Sequence, residues 1–316
     1  MSAMRISVVI ATKDRPDDLK ECIESIFNQT ELPDEVVIVD SSKDNRSYKV
    51  VQRFNLSSGV KPFFRYFHTS KQSSTFQRNM GVEVAKGNII HFIDDDVILE
   101  PDYLRQINAI YRNDSTGEIA GVGGLIIRDK RTVGRGFLID LFKKIFLLSN
   151  DNGDGRMLRS GWALMQFRKN TSKISSTELL QGCCSYRKEI LSKYKFDENL
   201  SGHAVREDID LAFRISRKHK LIYTPFAKLY HKASTTGRES EEIFYQKYIY
   251  NHFYIFRKNM KGSIINWLCF WWSEIGSMLG VIFLSFRKKS VKPLKGALSG
   301  YFLIGKDLVS TKHSRS

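Results

Sequence analysis

The sequence predicts an α/β fold, a mostly parallel sheet flanked by helices, followed by a helical C-terminal segment. Three observations predict it. Short apolar runs rich in β-branched residues alternate with helical periodicity through the first hundred residues. These runs end on polar or acidic residues, as buried parallel strands do where they reach the sheet edge. From residue 241 onward the pattern changes to long basic and aromatic-rich stretches of helical character.

Ile6–Ala11 reads as the first strand. A polar turn follows, then a helical stripe with Leu19, Cys22, Ile23, Ile26 and Phe27 on one face. Glu35–Val39 is a second apolar run closing on Asp40, and strand–helix–strand in under forty residues is a βαβ unit. Phe63–His68 reads as a third strand. Gln77–Ala85 reads as a helix stopped by Gly87, and Asn88–Ile93 as the next strand. Pro101–Tyr111 is helical in pattern. Between Gly117 and Leu180 periodicity is poor, with Gly121, Gly123 and Gly124 and a basic, aromatic insert at Arg135–Leu148. A mobile substrate loop is expected there. Gly182–Tyr186 is strand-like, Lys188–Tyr194 a short helix, and Glu207-Asp208-Ile209-Asp210 opens another helix carrying Leu211, Phe213 and Ile215.

The chain has 316 residues, enough for one large domain and an appendage, and its hydrophobic fraction of 42% is that of a globular protein. The net charge of +16 is uneven: residues 231–316 hold 14 Lys and Arg against 5 Asp and Glu. Such a balance calls for a polyanionic partner, whether nucleic acid, anionic lipid or phosphorylated substrate. Tryptophans within the basic tail favour lipid. Four cysteines in no CxxC pattern suit reduced thiols in a reducing compartment. Ile6–Ile10 is too short for a signal core and reads as a strand instead.

His91-Phe92-Ile93-Asp94-Asp95-Asp96-Val97 carries the most chemistry. Three carboxylates at one strand end repel one another unless a cation sits among them, and a hard divalent ion on oxygen ligands is the natural candidate. Side chains two apart on a strand point the same way, so Asp94 and Asp96 are expected to share a site while Asp95 turns aside.

Four segments in order resemble one family: Ser7-Val8-Val9-Ile10-Ala11-Thr12; Val37-Ile38-Val39-Asp40; Gln77-Arg78-Asn79-Met80-Gly81 with Phe92-Ile93-Asp94-Asp95-Asp96; and Arg206-Glu207-Asp208 with Leu211 and Arg214. Together they resemble the family-two inverting glycosyltransferases of the GT-A fold, a Rossmann-like architecture, over roughly Ile6 to Arg238. The resemblance implies a nucleotide-sugar donor and a divalent cofactor, Mg²⁺ or Mn²⁺. It places Thr12 and Asp40 at the nucleotide, with Asp14 and Arg15 nearby, and Arg78 and Asn79 near nucleotide and diphosphate. Asp94 would approach the ribose and the metal, and Asp96 would hold the metal against the diphosphate. Asp208 would be the general base, with Glu207 beside it. His231, before Thr236-Gly237-Arg238, would close the site against metal or phosphate. Two departures stand out: Ser41-Ser42-Lys43-Asp44 follows Asp40 where the family usually has Gly, and the Arg135–Leu148 insert lacks an obvious counterpart.

Ile264–Phe286 is a 23-residue apolar segment with Trp267, Trp271, Trp272 and one charge, Glu274. A helix of this length could cross a bilayer core of about 30 Å. Glu274 lies mid-segment, however, and Lys258 and Lys261 precede it while Arg287, Lys288, Lys289, Lys292 and Lys295 follow. A crossing would place one basic cluster outside, against the positive-inside tendency. A helix in the interface, or a re-entrant hairpin with Leu294–Gly305 as its second arm, keeps both clusters on the cytoplasmic face of an anionic membrane. Gly276 and Gly280 form a GxxxG that allows helix–helix contact and a homodimer.

The sequence therefore predicts a glycosyltransferase domain over residues 1–240 and a membrane-association region over 241–316, acting on a lipid-linked or surface glycan acceptor. Transfer to a polyprenyl phosphate on the same fold is the alternative. A nucleotidyltransferase is disfavoured because Ala11-Thr12-Lys13-Asp14-Arg15 has no glycine-rich phosphate loop. A basic nucleic-acid-binding protein fits the charge, yet no helix-turn-helix or zinc-ligand pattern accompanies it, and nucleic acid is not the expected partner.

Overall fold

The protein is described from a computed structural model covering residues 3–57, 62–128, 137–149, 155–165, 172–202, 205–234, 236, 239–260 and 262–313. The chain divides into two compact units, the first comprising Met1–Thr132, Met165–His203 and Glu207–Gly237. The second comprises Val133–Leu164, Ala204–Arg206 and Arg238–Ser316. Val133–Leu164 falls in the same unit as the C-terminal helices, where Phe146 stacks on Trp272 at 5.0 Å and Trp162 meets His252 edge-on at 4.9 Å.

In the first unit, β1 (Ile6–Thr12), β2 (Glu35–Asp40), β3 (Phe63–His68) and β4 (Ile89–Asp94) pair in parallel in the order β3-β2-β1-β4. The β-branched side chains of β1 and β2 suit a sheet covered on both faces, and β2 is buried at every position. Helix α1 (Pro16–Phe27) begins with Pro and two acids in its first turn, and buries Leu19, Cys22, Ile23 and Ile26. Helix α3 (Ser74–Val84) lies against β1 so closely that a Cβ at Gly81 would meet Val9 Cγ1 at 2.3 Å. Register aligns Thr12 with Asp40, Ala11 with Asp94, and Asp40 with His68, so these strand ends form one carboxyl-terminal edge.

Beyond β4 the sheet is mixed. It continues β8 (Cys184–Arg187), β6 (Ile119–Arg128), β9 (Lys220–His231) and β5 (Val97–Leu99), with β7 (Ser175–Thr177) also on β9. β4–β8, β6–β8, β5–β9 and β7–β9 are antiparallel and β6–β9 is parallel. The glycine-rich stretch expected to be irregular is the central strand β6. Pro225 masks β9 in the sequence, and a bulge accommodates it: β9 advances from Tyr223 to Lys228 while β6 moves from Gly123 to Leu125. Gly124 permits this, because a Cβ there would meet the Ala227 carbonyl at 2.4 Å. The remaining helices of this unit are α2 (Arg46–Ser57), which the sequence reading passed over, α4 (Tyr103–Arg112), α6 (Lys188–Lys193) and α7 (Glu207–Ser216).

The second unit consists of α5 (Phe137–Ile145), α8 (Glu241–Asn259), α9 (Ile264–Lys288) and α10 (Lys292–His313) among the described residues. The Arg135–Leu148 insert is therefore mostly helix. The expected mobile loop falls partly on residues 129–136, 150–154 and 166–171, outside the described residues. Ile249, Phe253, Phe256, Phe270, Val281, Ala297 and Ile304 form the core of this unit. Rather than forming one arm of an isolated hairpin, α10 packs along α8, where a Cβ on Gly296 would meet the Glu242 carbonyl at 2.2 Å.

Candidate active site

The three aspartates occupy the turn from β4 into β5 and point in two directions. Asp94 accepts a hydrogen bond from Arg78 Nη2 at 2.8 Å, and Asp96 Oδ1 lies 3.5 Å from His231 Nε2. Asp95 faces the other way, accepting from Thr12 Oγ1 at 2.7 Å and Arg15 Nη1 at 2.9 Å. Burial pushes Asp95 up to about 6 against the pull of Arg15 and Thr12. Burial works to raise Asp94 too, but Arg78 and then His231 hold it below the usual carboxylate range.

Ligand atoms of Asp94, Asp96 and His231 all lie within 4.8 Å of one another. Two carboxylates and an imidazole suit Mn²⁺ or Mg²⁺, with substrate phosphates completing the shell. The carboxylates fit as they stand. His231 Nδ1 accepts the Ala233 N–H at 2.9 Å, which leaves the proton of the neutral ring on Nε2, the nitrogen nearest Asp96. His231 would ligate through Nε2 only in the neutral tautomer protonated at Nδ1, which gives up the Ala233 contact, and otherwise serves as a donor from Nε2 to carboxylate or phosphate. Of the segment after it, Gly237 and Arg238 lie outside the described residues, while the Thr236 carbonyl accepts from Arg15 Nε at 2.6 Å.

Asp40 is fully buried at the end of β2. Its Oδ1 accepts from the Ser42 N–H at 2.7 Å and Ser42 Oγ at 2.5 Å, and its Oδ2 from the Tyr66 hydroxyl at 2.7 Å. Ser42 thus caps Asp40 itself. Burial and the Asp40 carboxylate push the Tyr66 phenol well up. Beside them lies a cavity of about 640 Å³ lined by Lys43, Asp44, Asn45, Tyr48, Tyr66 and His68. Sequence reading missed these residues, although the alternation of Tyr66 and His68 on β3 marks one face. Asp14 adopts a left-handed conformation at φ 57°, with its N–H donating to Ser42 Oγ at 2.7 Å. Non-glycine residues reach that region at a cost, and such strain gathers at functional sites.

Adjacent residues of α3 take different parts. Gln77 clasps the strand ends, donating to the Thr12 and Val39 carbonyls at 2.8 and 2.7 Å. Arg78 is buried and bridges Asp94 and Glu207. The Asn79 side chain instead braces the segment after α6, donating to the Phe196 carbonyl at 3.0 Å and accepting its N–H at 2.9 Å. Glu207 opens α7 paired with Arg78 at 2.5 Å, and half-buried Asp208 follows it. Burial and then Glu207 push Asp208 up to about 7, against Arg78 and the Ile209 N–H that its Oδ1 accepts at 2.8 Å. A helix N-terminus favours the ionised form, so the protein environment supplies the opposing rise a base needs near neutral pH. Cys183 and Cys184 are buried packing thiols raised by burial, and Cys183 Sγ accepts the Asp94 N–H at 3.4 Å.

The family model for "Glycosyl transferase family 2" matches residues 7–195, more than half of the chain. The chain belongs to glycosyl transferase family 2. It is a glycosyltransferase with a GT-A type fold. It is 30% identical over 107 residues to the putative glycosyltransferase EpsH of Bacillus subtilis, covering 34% of this chain and 30% of that one. It is 27% identical over 128 residues to the glucosyl-dolichyl phosphate glucuronosyltransferase of Haloferax volcanii, covering 40% and 39%. The matches thus span under two fifths of these relatives. Among solved structures, S. aureus TarS 1–349 in complex with UDP-GlcNAc superposes with TM-score 0.53 at 15% identity, covering 84% of this chain and 70% of that one. GalNAc-T7 with UDP, GalNAc and Mn²⁺ gives 0.55 at 17% identity, covering 74% and 44%.

Proposed function

We propose that this family member is an inverting glycosyltransferase moving a sugar from a nucleoside diphosphate to a hydroxyl of a lipid-linked or surface glycan. A divalent cation assists, and the enzyme works at the cytoplasmic face of a membrane. The observation that carries the reading is the Arg78 bridge, which ties Asp94 of the cation cluster to Glu207, the neighbour of Asp208.

Inversion in one displacement needs two things at opposite ends of the reacting bond. Asp208, titrating near neutrality, takes the proton of the acceptor hydroxyl as that oxygen attacks the anomeric carbon. Asp94 and Asp96, with His231, would hold Mg²⁺ or Mn²⁺, which supplies Lewis-acid stabilisation to the departing diphosphate. Arg78 holds Glu207 and Asp94 in place. The Tyr48–Tyr66 pair, with ring centroids 5.1 Å apart beside Asp40, offers the base an aromatic wall.

Support for donor and acceptor comes from the names of similar proteins. Structural neighbours carry UDP and UDP-GlcNAc, one of them with Mn²⁺. One relative is a poly(ribitol-phosphate) beta-glucosyltransferase, 30% identical over 129 residues, and another acts on a glucosyl-dolichyl phosphate. The test is thermal stability of the full chain with UDP, GDP or dTDP, each with and without Mn²⁺. Ligand at about 100 times its Kd stabilises by about 2.7 kcal/mol. A metal-dependent rise with one nucleotide supports the reading, and no rise with any of them in folded protein overturns it.

A further inference from the structure

We propose that α9 and α5 form a monotopic docking face that lies flat in the interface of an anionic bilayer. This rests on the membrane association proposed above and names its mode. It is carried by the second unit alone.

Helix α9 is long and apolar enough to cross a membrane, but its two faces differ. On one face Phe270, Ser273, Glu274 and Val281 are buried. Glu274 is 2% exposed, its Oε2 accepting from Tyr301 Oη at 2.7 Å and its Oε1 lying 2.6 Å from His252 Nδ1. These contacts commit that face to α8 and α10. A helix surrounded by lipid would have to give them up and carry Glu274 into hydrocarbon, a large cost.

The opposite face is apolar and open. Ile265, Leu268, Trp272, Ile275, Leu279 and Phe283 recur at spacings of three and four and are 45–66% exposed. At about 1.5 Å per residue this stripe runs about three quarters of the length of a 25-residue helix. Helix α5 extends it sideways. Trp272 Nε1 donates to the Ile145 carbonyl at 2.6 Å, Phe146 stacks on Trp272, and Phe137 and Leu138 on α5 are 79% and 77% exposed. Gly276 completes this joint, because a Cβ there would meet Phe146 at 2.2 Å. That half of the GxxxG is therefore filled from within the chain.

Charge identifies the occupant. Exposed Arg287, Lys289, Lys292 and Lys295 cluster where α9 ends and α10 begins, and Lys258 stands before the start of α9. An apolar stripe bordered by cations matches the acyl boundary and phosphate headgroups of an anionic leaflet, with indoles at headgroup depth. A second copy of this chain would bring the same cations against one another.

The test is flotation of the detergent-purified full chain with vesicles of phosphatidylcholine alone or with about one third phosphatidylglycerol. Binding to the anionic vesicles, release by alkaline carbonate and loss of binding in Leu268→Glu/Phe283→Glu support the proposal. Lys289→Glu/Lys292→Glu, on exposed residues, should lower partitioning by more than about tenfold, since each cation near an anionic surface is worth on the order of a fivefold factor. Quenching of tryptophan by lipid brominated near the headgroup supports the same depth. Retention after carbonate would show a span and overturn the proposal. Concentration-dependent dimers without vesicle binding would overturn it in favour of a second copy. The nucleotide-dependent thermal shift, measured on the same samples, separates failure of docking from failure of the catalytic reading.

Discussion

Arg78 Nη1 donates to Glu207 Oε1 at 2.5 Å, so the start of α7 is pinned to α3 across 129 residues of chain. The same guanidinium holds Asp94 from its other nitrogen, and all three side chains are largely shielded from water. Removing one partner of a buried ion pair leaves the others desolvated and uncompensated, which typically costs about 3–5 kcal/mol. Arg78→Met should destabilise the protein by that order in chemical denaturation. Arg78→Lys keeps the charge but not the fork, and should recover part of the stability and little of the activity.

Asp208 sets the pH dependence. Its folded-state value near 7 stands above the ordinary aspartate value, so the folded protein holds a proton there that the unfolded chain releases. Stability from this group is present at low pH and declines as pH rises from about 4 through about 7. Activity runs the opposite way, because the base must be ionised. The rate should fall tenfold per pH unit below about 7. Asp208→Asn should lose about 10²–10⁴-fold in rate, flatten that acidic limb and remove its share of the stability slope.

The three consecutive aspartates should separate cleanly by substitution. Asp96→Asn removes a carboxylate of the cation cluster and should abolish any Mn²⁺-dependent rise in melting temperature with nucleotide. Asp95→Asn should keep that rise, because its own oxygens turn to Thr12 and Arg15 and join no cluster, although Arg15 Nη1 also lies 3.6 Å from Asp96 Oδ2. It should instead lower baseline stability by about 1–3 kcal/mol, the usual cost of leaving a charged hydrogen-bonding partner unpaired. Equal loss of the metal response in both variants would contradict this division.

Much of this site is legible in the chain because period-two alternation decides which side chains share a direction. Asp94 and Asp96 against Asp95 follow from that alone, and β1, β2 and β4 follow from runs of β-branched residues. The partners across the fold are not legible. Nothing local shows that Thr12 and Arg15 turn to Asp95, or that Asn79 turns away to Phe196, since these depend on packing at separations above 60 residues. Strand β9 was hidden by Pro225, and β6 by glycines whose role appears once Ala227 closes on them. The Asp40 environment was hidden for another reason: Tyr66 lies 26 residues away on the edge strand β3.

The buried polar triad of the second unit offers a stability test independent of catalysis. His252 and Glu274 are 1% and 2% exposed, and Tyr301 donates to the same carboxylate. Burial holds the His252 pKa below its ordinary value, although the Glu274 carboxylate pulls it upward. At neutral pH the imidazole is therefore uncharged and donates from Nδ1. The unfolded chain takes up a proton near pH 6.5 that the folded protein resists, so stability falls as pH drops below that point. Glu274→Leu removes the acceptor and strands the buried imidazole N–H, at about 1–3 kcal/mol, while the Tyr301 hydroxyl keeps the residue-274 carbonyl at 3.2 Å. Glu274→Gln, able to accept from His252 through its carbonyl, should lose less than half as much. Denaturation midpoints at pH 7.5 for the two variants give the comparison. If Leu proved as stable as the native residue, the triad would be an exchangeable filler rather than the lock that holds α9 to its neighbours.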